Sequence, residues 1–264
     1  MLVIKIGGGE SIDLDAILSD LSTIEGPFII VHGANAFRDE LAEKLGVEKE
    51  IITSVSGHTS VKSTTEMIDL MLMSYAGVKN KRVVEKLQQA GFNAIGLTGA
   101  DGGMIQGKRN RGIKARKGGK RVLVRDYSGK PQAINIDLLT LLTDHSYIPV
   151  LTVPILDEHQ HLINSENDDI VRLLCNSMAI DCVIMFIEEP GLMRNLDDPT
   201  SLVTSLNHQE LEEWEQEVDG RMKRKLYAIR KMLNESGPEV VIADGRIDQP
   251  VQHALRLQGT HITW

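Results

Sequence analysis

Residues 1–11 read MLVIKIGGGES, and residues 29–41 read IIVHGANAFRDEL. Both are apolar runs that stop at glycine and are followed by a helical pattern. A strand ending in glycine before a helix suits an anion. Without Cβ the backbone approaches closely and points its N–H groups at the charge. A plain strand-to-helix turn also uses glycine, so each corner alone carries little. Neither corner is GxxxxGK[ST] or GxGxxG. Lys5 adds the second signal. A lysine inside a buried strand is costly unless its ammonium meets an anion, and its side chain should emerge beside Gly7, Gly8 and Gly9. Two such corners, one with a lysine just before it, suggest a polyanion held between them. Ser11 is placed to cap the helix that follows.

Outward from these corners, apolar strand-like runs alternate with helical patterns. The runs are LVIKI, FIIVHG, NAIGLTG, IPVLTVPIL, CVIMFI and EVVIADG. Between them, apolar residues recur at three- and four-residue spacing. Examples are Phe37, Leu41 and Leu45; residues 65–91; and Met222, Leu226, Ile229 and Leu233. Continuous apolar strands alternating with helices predict a mostly parallel sheet covered on both faces, a three-layer α/β/α sandwich. Residues 103–126 break the alternation. They read as a β-hairpin excursion, with KGGK as its turn. A softer boundary lies near residue 150, dividing the chain into lobes 1–150 and 151–264.

The 264 residues suffice for one large α/β domain or two closely joined lobes. A net charge of −8 argues against a general nucleic-acid binder. No run of 18 apolar residues suggests a membrane span, and no signal peptide is evident, which leaves the cytoplasm as the expected compartment. Cys175 and Cys182 read as buried reduced thiols, and their spacing makes a poor zinc pattern. His159 and His161 read as a solvent-facing turn rather than a metal pair, and no protein metal site is expected.

The two corners resemble the first two motifs of the amino acid kinase family, acetylglutamate kinase in particular. Further segments match that family in order down nearly the whole chain: residues 77–102, 126–154, LINSENDDIVRLLC, PGLM, GRMKRKLYAIRKML, VVIADGRIDQPVQHAL and GTHITW. GRMKRK and DYSGK are most similar to a branch of that family. Its members phosphorylate aminoadipate or glutamate attached to an acidic amino-group carrier protein, in lysine and arginine biosynthesis.

The resemblance implies transfer of the γ-phosphoryl of ATP to a side-chain carboxylate. It assigns Lys5 to bridge the phosphates, Lys225 to the leaving β-phosphate, and Asp168 to orient both lysines. Gly8 and Gly33 would donate N–H groups to the phosphoryl, with Gly7 and Gly191 also near the nucleotide. Asn164 would bind the acyl substrate, with Ala34 and Lys62 counted beside it. Mg²⁺ would be held mainly by the ATP phosphates, and the expected assembly is a homodimer. Taken by spacing alone, Asp168 and Asp169 could equally favour a helix N-terminus, and RMKRK a solvated face.

Three features depart from the family pattern. HGAN stands where HGGG or HGGS is usual. Val61, with Lys62 beside it, stands where the family has a carboxylate-clamping arginine. Glu188 and Glu189 stand where it often has a Thr/Ser and Asp/Asn pair near the nucleotide. Arg and Lys are not interchangeable at a bidentate carboxylate site.

Nine basic residues and no acid lie between Lys108 and Arg125. A solvated hairpin explains such a run. So does an acidic protein partner docking on Arg111, Lys114 and Arg116. Nucleic acid fits poorly, since no aromatic residue interleaves the charges. The expected activity is phosphorylation of carrier-linked aminoadipate or glutamate. The alternatives are an acetylglutamate kinase, a family member acting on another small acid or phosphate, and a regulatory binding protein on a kinase fold.

Overall fold

The opening run forms strand β1 (Leu2–Ile6), inside an eight-stranded sheet. The computed structural model describes residues 1–54, 59–117, 120–218 and 220–263, without the side chains of residues 116, 117, 120, 121, 199, 220, 221, 224, 235 and 236. The other central strands are β2 (Phe28–His32), β3 (Asn93–Thr98), β4 (Tyr147–Thr152), β5 (Cys182–Ile187), β6 (Ser205–Leu206), β7 (Glu239–Asp244) and β8 (Thr260–Ile262). Their order across the sheet is β6-β8-β7-β5-β1-β2-β4-β3. All neighbours run parallel except β7 and β8. One unbroken sheet therefore serves both halves of the chain, and the boundary expected at 150 falls inside β4.

Alternation along each strand sends successive side chains to opposite faces. Val3, Val31, Leu151, Val183 and Ile242 enter one core with α3 (Thr65–Met71), α5 (Ile136–Asp144), α6 (Asn167–Ser177), α7 (His208–Glu217) and α8 (Gly220–Ser236). Ile4, Ile6, Ile30, Val150, Ile184 and Val241 enter the other with α1 (Leu14–Asp20), α4 (Asn80–Gln89) and α9 (Pro250–Leu255). This is the three-layer sandwich the alternation predicts.

Local departures have local reasons. Helix α1 begins three residues after Ser11, so its cap is Asp13, whose carboxylate accepts the Ala16 N–H at 2.9 Å. Helix α2 (Asn35–Lys44) does not bury Phe37, Leu41 and Leu45; Leu45 is 54% exposed. It packs instead through Arg38 and Ala42, the latter in a small side cluster with Met67 and Leu70. The helical pattern over 65–91 is right in extent, but Leu72–Lys79 is π-helical. Cys175 is buried and burial pushes its thiol up to about 12; Cys182 is only half-buried, and both are free.

The excursion is larger than residues 103–126. Ile105–Arg109 pairs antiparallel with Gly129–Ile134, and beyond them Ile113–Lys117 pairs with Lys120–Val124. Among the described residues no helix is long and apolar enough to cross a membrane.

Candidate active site

Strand parity decides where Lys5 goes. It shares the face of Val3, so its side chain leaves β1 toward α6 and α8. At 8% exposure it would be a buried cation without a partner. Its Nζ lies 3.0 Å from Oδ1 of Asp168, the second residue of α6. Lys225 Nζ approaches the other oxygen at 3.8 Å. Lys225 lies on the inward stripe of α8 with Leu226, Ile229 and Leu233, which is why it turns in while Lys223 reaches the cleft wall.

Asp169 pairs within its own helix, at 3.7 Å from Arg172. Asp168 is thus the aspartate shared by two buried ammoniums. Burial alone would raise its carboxyl, but the charges of Lys225 and Lys5 outweigh it and hold the group down at about 2. Burial pushes Lys225 down to about 8 against the pull of Asp168, with the Lys5 charge adding to the shift.

The two glycine corners touch. A Cβ on Gly8 would lie 2.6 Å from the backbone nitrogens of both Ala34 and Asn35, so only glycine permits the approach. The Ala36 N–H donates to Gly8 O at 2.9 Å and locks the corners together. Of the two expected donors, Gly33 needs correction and Gly8 does not. Gly7 and Gly33 already donate their amides, to Phe186 O and Ile6 O, at 3.0 Å each. Both bonds prolong the strand ladder past its last residue. The amides of Gly8 and Asn35 have no acceptor among the described residues.

Ala34 also moves in role. Its methyl belongs to the main core, so it neither crowds the corner nor lines the acyl cleft. Gly191 packs against Thr260, whose Oγ would stand 2.7 Å from a Cβ. Glu188 rests its carboxylate against Gly9 and accepts the Ser11 N–H at 3.0 Å and hydroxyl at 2.8 Å.

Beside Asp168 opens a cleft of about 510 Å³, lined among others by Val61, Ser63, Asp126, Lys130, Asn164, Lys223 and Tyr227. Asn164 donates its amide to Ser63 Oγ at 3.0 Å. Lys62 does not reach the cleft. Its ammonium pairs with Glu50 at 2.7 Å, while Val61 lines the wall. Among the described residues, the cations that do line it are Lys130 and Lys223, neither singled out by sequence.

Asp126 was likewise not anticipated. Buried in the wall, it accepts the Ser63 N–H (3.3 Å) and the Ser128 N–H and hydroxyl (3.2 and 2.6 Å). The cue was available: an acid followed by Ser and Gly in DYSG, at the return of a hairpin.

The basic excursion borders this cleft. Asn110 and Ile113 line it, and Arg111 and Lys114 are exposed next to them. The side chain of Arg116 lies outside the described ones. Among the described residues no three His, Cys, Asp or Glu gather to hold a metal.

Comparison with known proteins agrees with the geometry. A LysW-aminoadipate kinase of Thermus thermophilus is 35% identical over 266 residues, covering 98% of this chain and 99% of that protein. A LysW-aminoadipate/LysW-glutamate kinase of Saccharolobus islandicus is 29% identical, covering 99% of each. Carbamate kinase from Giardia lamblia, at 14% identity, shares the fold with a TM-score of 0.70 over 99% of this chain and 97% of that one. The model of the amino acid kinase family matches residues 1–244. With a lysine–aspartate–lysine centre beside two interlocked glycine corners, and relatives over its full length, the chain belongs to the amino acid kinase family and is an ATP-dependent phosphotransferase.

Proposed function

We propose that the enzyme transfers the γ-phosphoryl of MgATP to the side-chain carboxylate of aminoadipate or glutamate held by its amino group on an acidic carrier protein. The observation that carries this reading is the position of the basic excursion. Asn110 and Ile113 line the cleft, so a carrier seated on the neighbouring Arg111, Lys114 and Arg116 holds its tethered acid within reach of it. In a protein of net charge −8, this acid-free stretch steers an acidic partner to one place. The names of the relatives point the same way.

In the transfer, a carboxylate oxygen of the acceptor attacks Pγ while the bond from Pγ to the bridging oxygen breaks. The electron pair leaves with ADP, and an acyl phosphate remains. No proton has to move, so the task is positioning and charge stabilisation. Lys5 spans from the glycine corners to Asp168 and balances charge on the phosphoryl. Lys225 balances the leaving β-phosphate. Asp168 holds both ammoniums in place and keeps them charged. The amides of Gly8 and Asn35 are the donors turned toward the phosphoryl, and Asn164 orients the acceptor. Residues 1–150 form the acyl lobe and residues 151–264 the ATP lobe of a homodimer, with Gly191 near the nucleotide loop.

ADP release with MgATP tests the reading against acetylglutamate, free glutamate, free aminoadipate, and both amino acids on an acidic carrier, with hydroxylamine to trap acyl phosphate. The expected result is hydroxamate only with the carrier-linked acids. Turnover of acetylglutamate instead would leave the excursion as solvated surface. No hydroxamate from any acceptor would mean that Val61 marks a different substrate.

A further inference from the structure

The helical run from Thr65 to Gln89 contains eight π-helical residues, Leu72–Lys79. Such turns are rare and gather at functional sites, because the wider turn re-aims a side chain at a cost in stability. Here the segment is fastened near the second glycine corner, from its middle and from the residue just after it. Tyr75, 2% exposed, donates its phenol to Asn35 Oδ1. Asn80, also buried, places its Nδ2 3.1 Å from His32 Nε2 and donates to Val150 O at 3.0 Å. His32 is the last residue of β2, and its Nδ1 lies 3.3 Å from Gly33 O. Burial pushes Tyr75 up to about 12 and His32 down to about 4, so the phenol stays a donor and the ring stays neutral at working pH.

Asn35 is also, with Ala34, one of the two residues whose backbone nitrogens meet Gly8. A shift of Asn35 therefore moves the contact between the two corners. Glycine or serine at this position could not take the phenol's hydrogen bond at the same reach. The HGAN departure and the π turn thus read as two halves of one device.

We propose that Tyr75 is a positioning residue, which through Asn35 holds the open amides of the corners against the transferring phosphoryl. The proposal rests on the phosphoryl-transfer reading above.

Tyr75→Phe removes one oxygen and little volume. It is expected to lower kcat for acyl-phosphate formation about ten- to a hundred-fold, since small misplacements at a reacting centre are that costly. KM for MgATP and for the acceptor should stay within about twofold. In an Asn35→Gly background the same substitution should cost clearly less kcat than in the parent, because one of the phenol's two partners at the corner, Asn35 Oδ1 beside the Ala34 amide, is already gone. Equal losses in both backgrounds, or an unchanged kcat in a Tyr75→Phe variant with normal Tm, overturn the proposal.

A second readout needs no turnover. In isotope-labelled protein, a non-hydrolysable ATP analogue should shift the Gly8 and Asn35 amide resonances, and Tyr75→Phe should reduce those shifts. Identical shifts in both proteins overturn the tie. Absence of acyl phosphate from the unmodified enzyme would strike the functional reading alone, because the amide comparison still decides the role of Tyr75.

Discussion

Replacing Asp168 by Asn keeps the shape of the side chain and removes its charge. The carboxylate faces two ammoniums, at 3.0 and 3.8 Å. Its carboxyl lies at about 2 instead of 3.8, a difference of roughly 2 kcal/mol in favour of the ionised folded form. The folded value is depressed, so this stabilisation is present above pH 3.8 and is lost as pH falls toward 2. Asp168→Asn should therefore destabilise the protein by about 2 kcal/mol at neutral pH, less than the usual 3–5 for breaking a fully buried pair, because Lys225 can release its proton.

The same release damages function. With Asp168 neutral, only the weaker pull of Glu166 opposes the burial that already holds Lys225 at about 8, and its ammonium is lost at lower pH. The kcat should fall about 10²- to 10³-fold, equivalent to about 3–4 kcal/mol of transition-state stabilisation. The assays are ADP release with hydroxylamine trapping across a pH series, and Tm across the same series. The difference in Tm should narrow at acid pH, where the native carboxyl is itself protonated. A variant within about threefold of the parent kcat, with its alkaline limb unmoved, would refute the reasoning.

Three further outcomes are expected. For the parent enzyme, kcat/KM for ATP should fall as pH rises through about 8, as Lys225 loses its proton, and Lys225→Arg should remove that limb; a profile flat to about pH 10 would exclude the assignment. Gly8→Ala puts a methyl 2.6 Å from two backbone nitrogens that cannot swing away, so it should cost about 1–3 kcal/mol in Tm-derived stability and depress kcat. Reversing charge at Arg111 and Lys114 together should raise KM for a carrier-linked acceptor at least about tenfold, most at low salt, and leave KM for ATP alone; unchanged carrier kinetics would remove the docking role.

The sheet and its layers were legible because a parallel strand buried on both faces is a continuous apolar run wherever its partners lie. The demand of Lys5 for an anion was legible for the same local reason, since a charge in such a run has no other outlet. Asp168 and Lys225 came from family resemblance, and only the crossing of α6 and α8 over β1 makes them neighbours. Which corner amides stay open could be read from the glycines only in part. Gly7 and Gly33 give their amides to neighbouring strands, and Gly8 and Asn35 keep theirs, because strand register settles which carbonyl lies opposite.

Lys62 illustrates the same limit. One residue of offset on an extended segment sends Val61 to the cleft and the lysine to Glu50, while Lys130 and Lys223 arrive from elsewhere in the chain. Local sterics and periodicity thus determined the elements and the types of residue that must find partners. The partners themselves were decided by packing between segments distant in sequence, as with Tyr75 and Asn35, where a π turn in one helix meets the first residue of another.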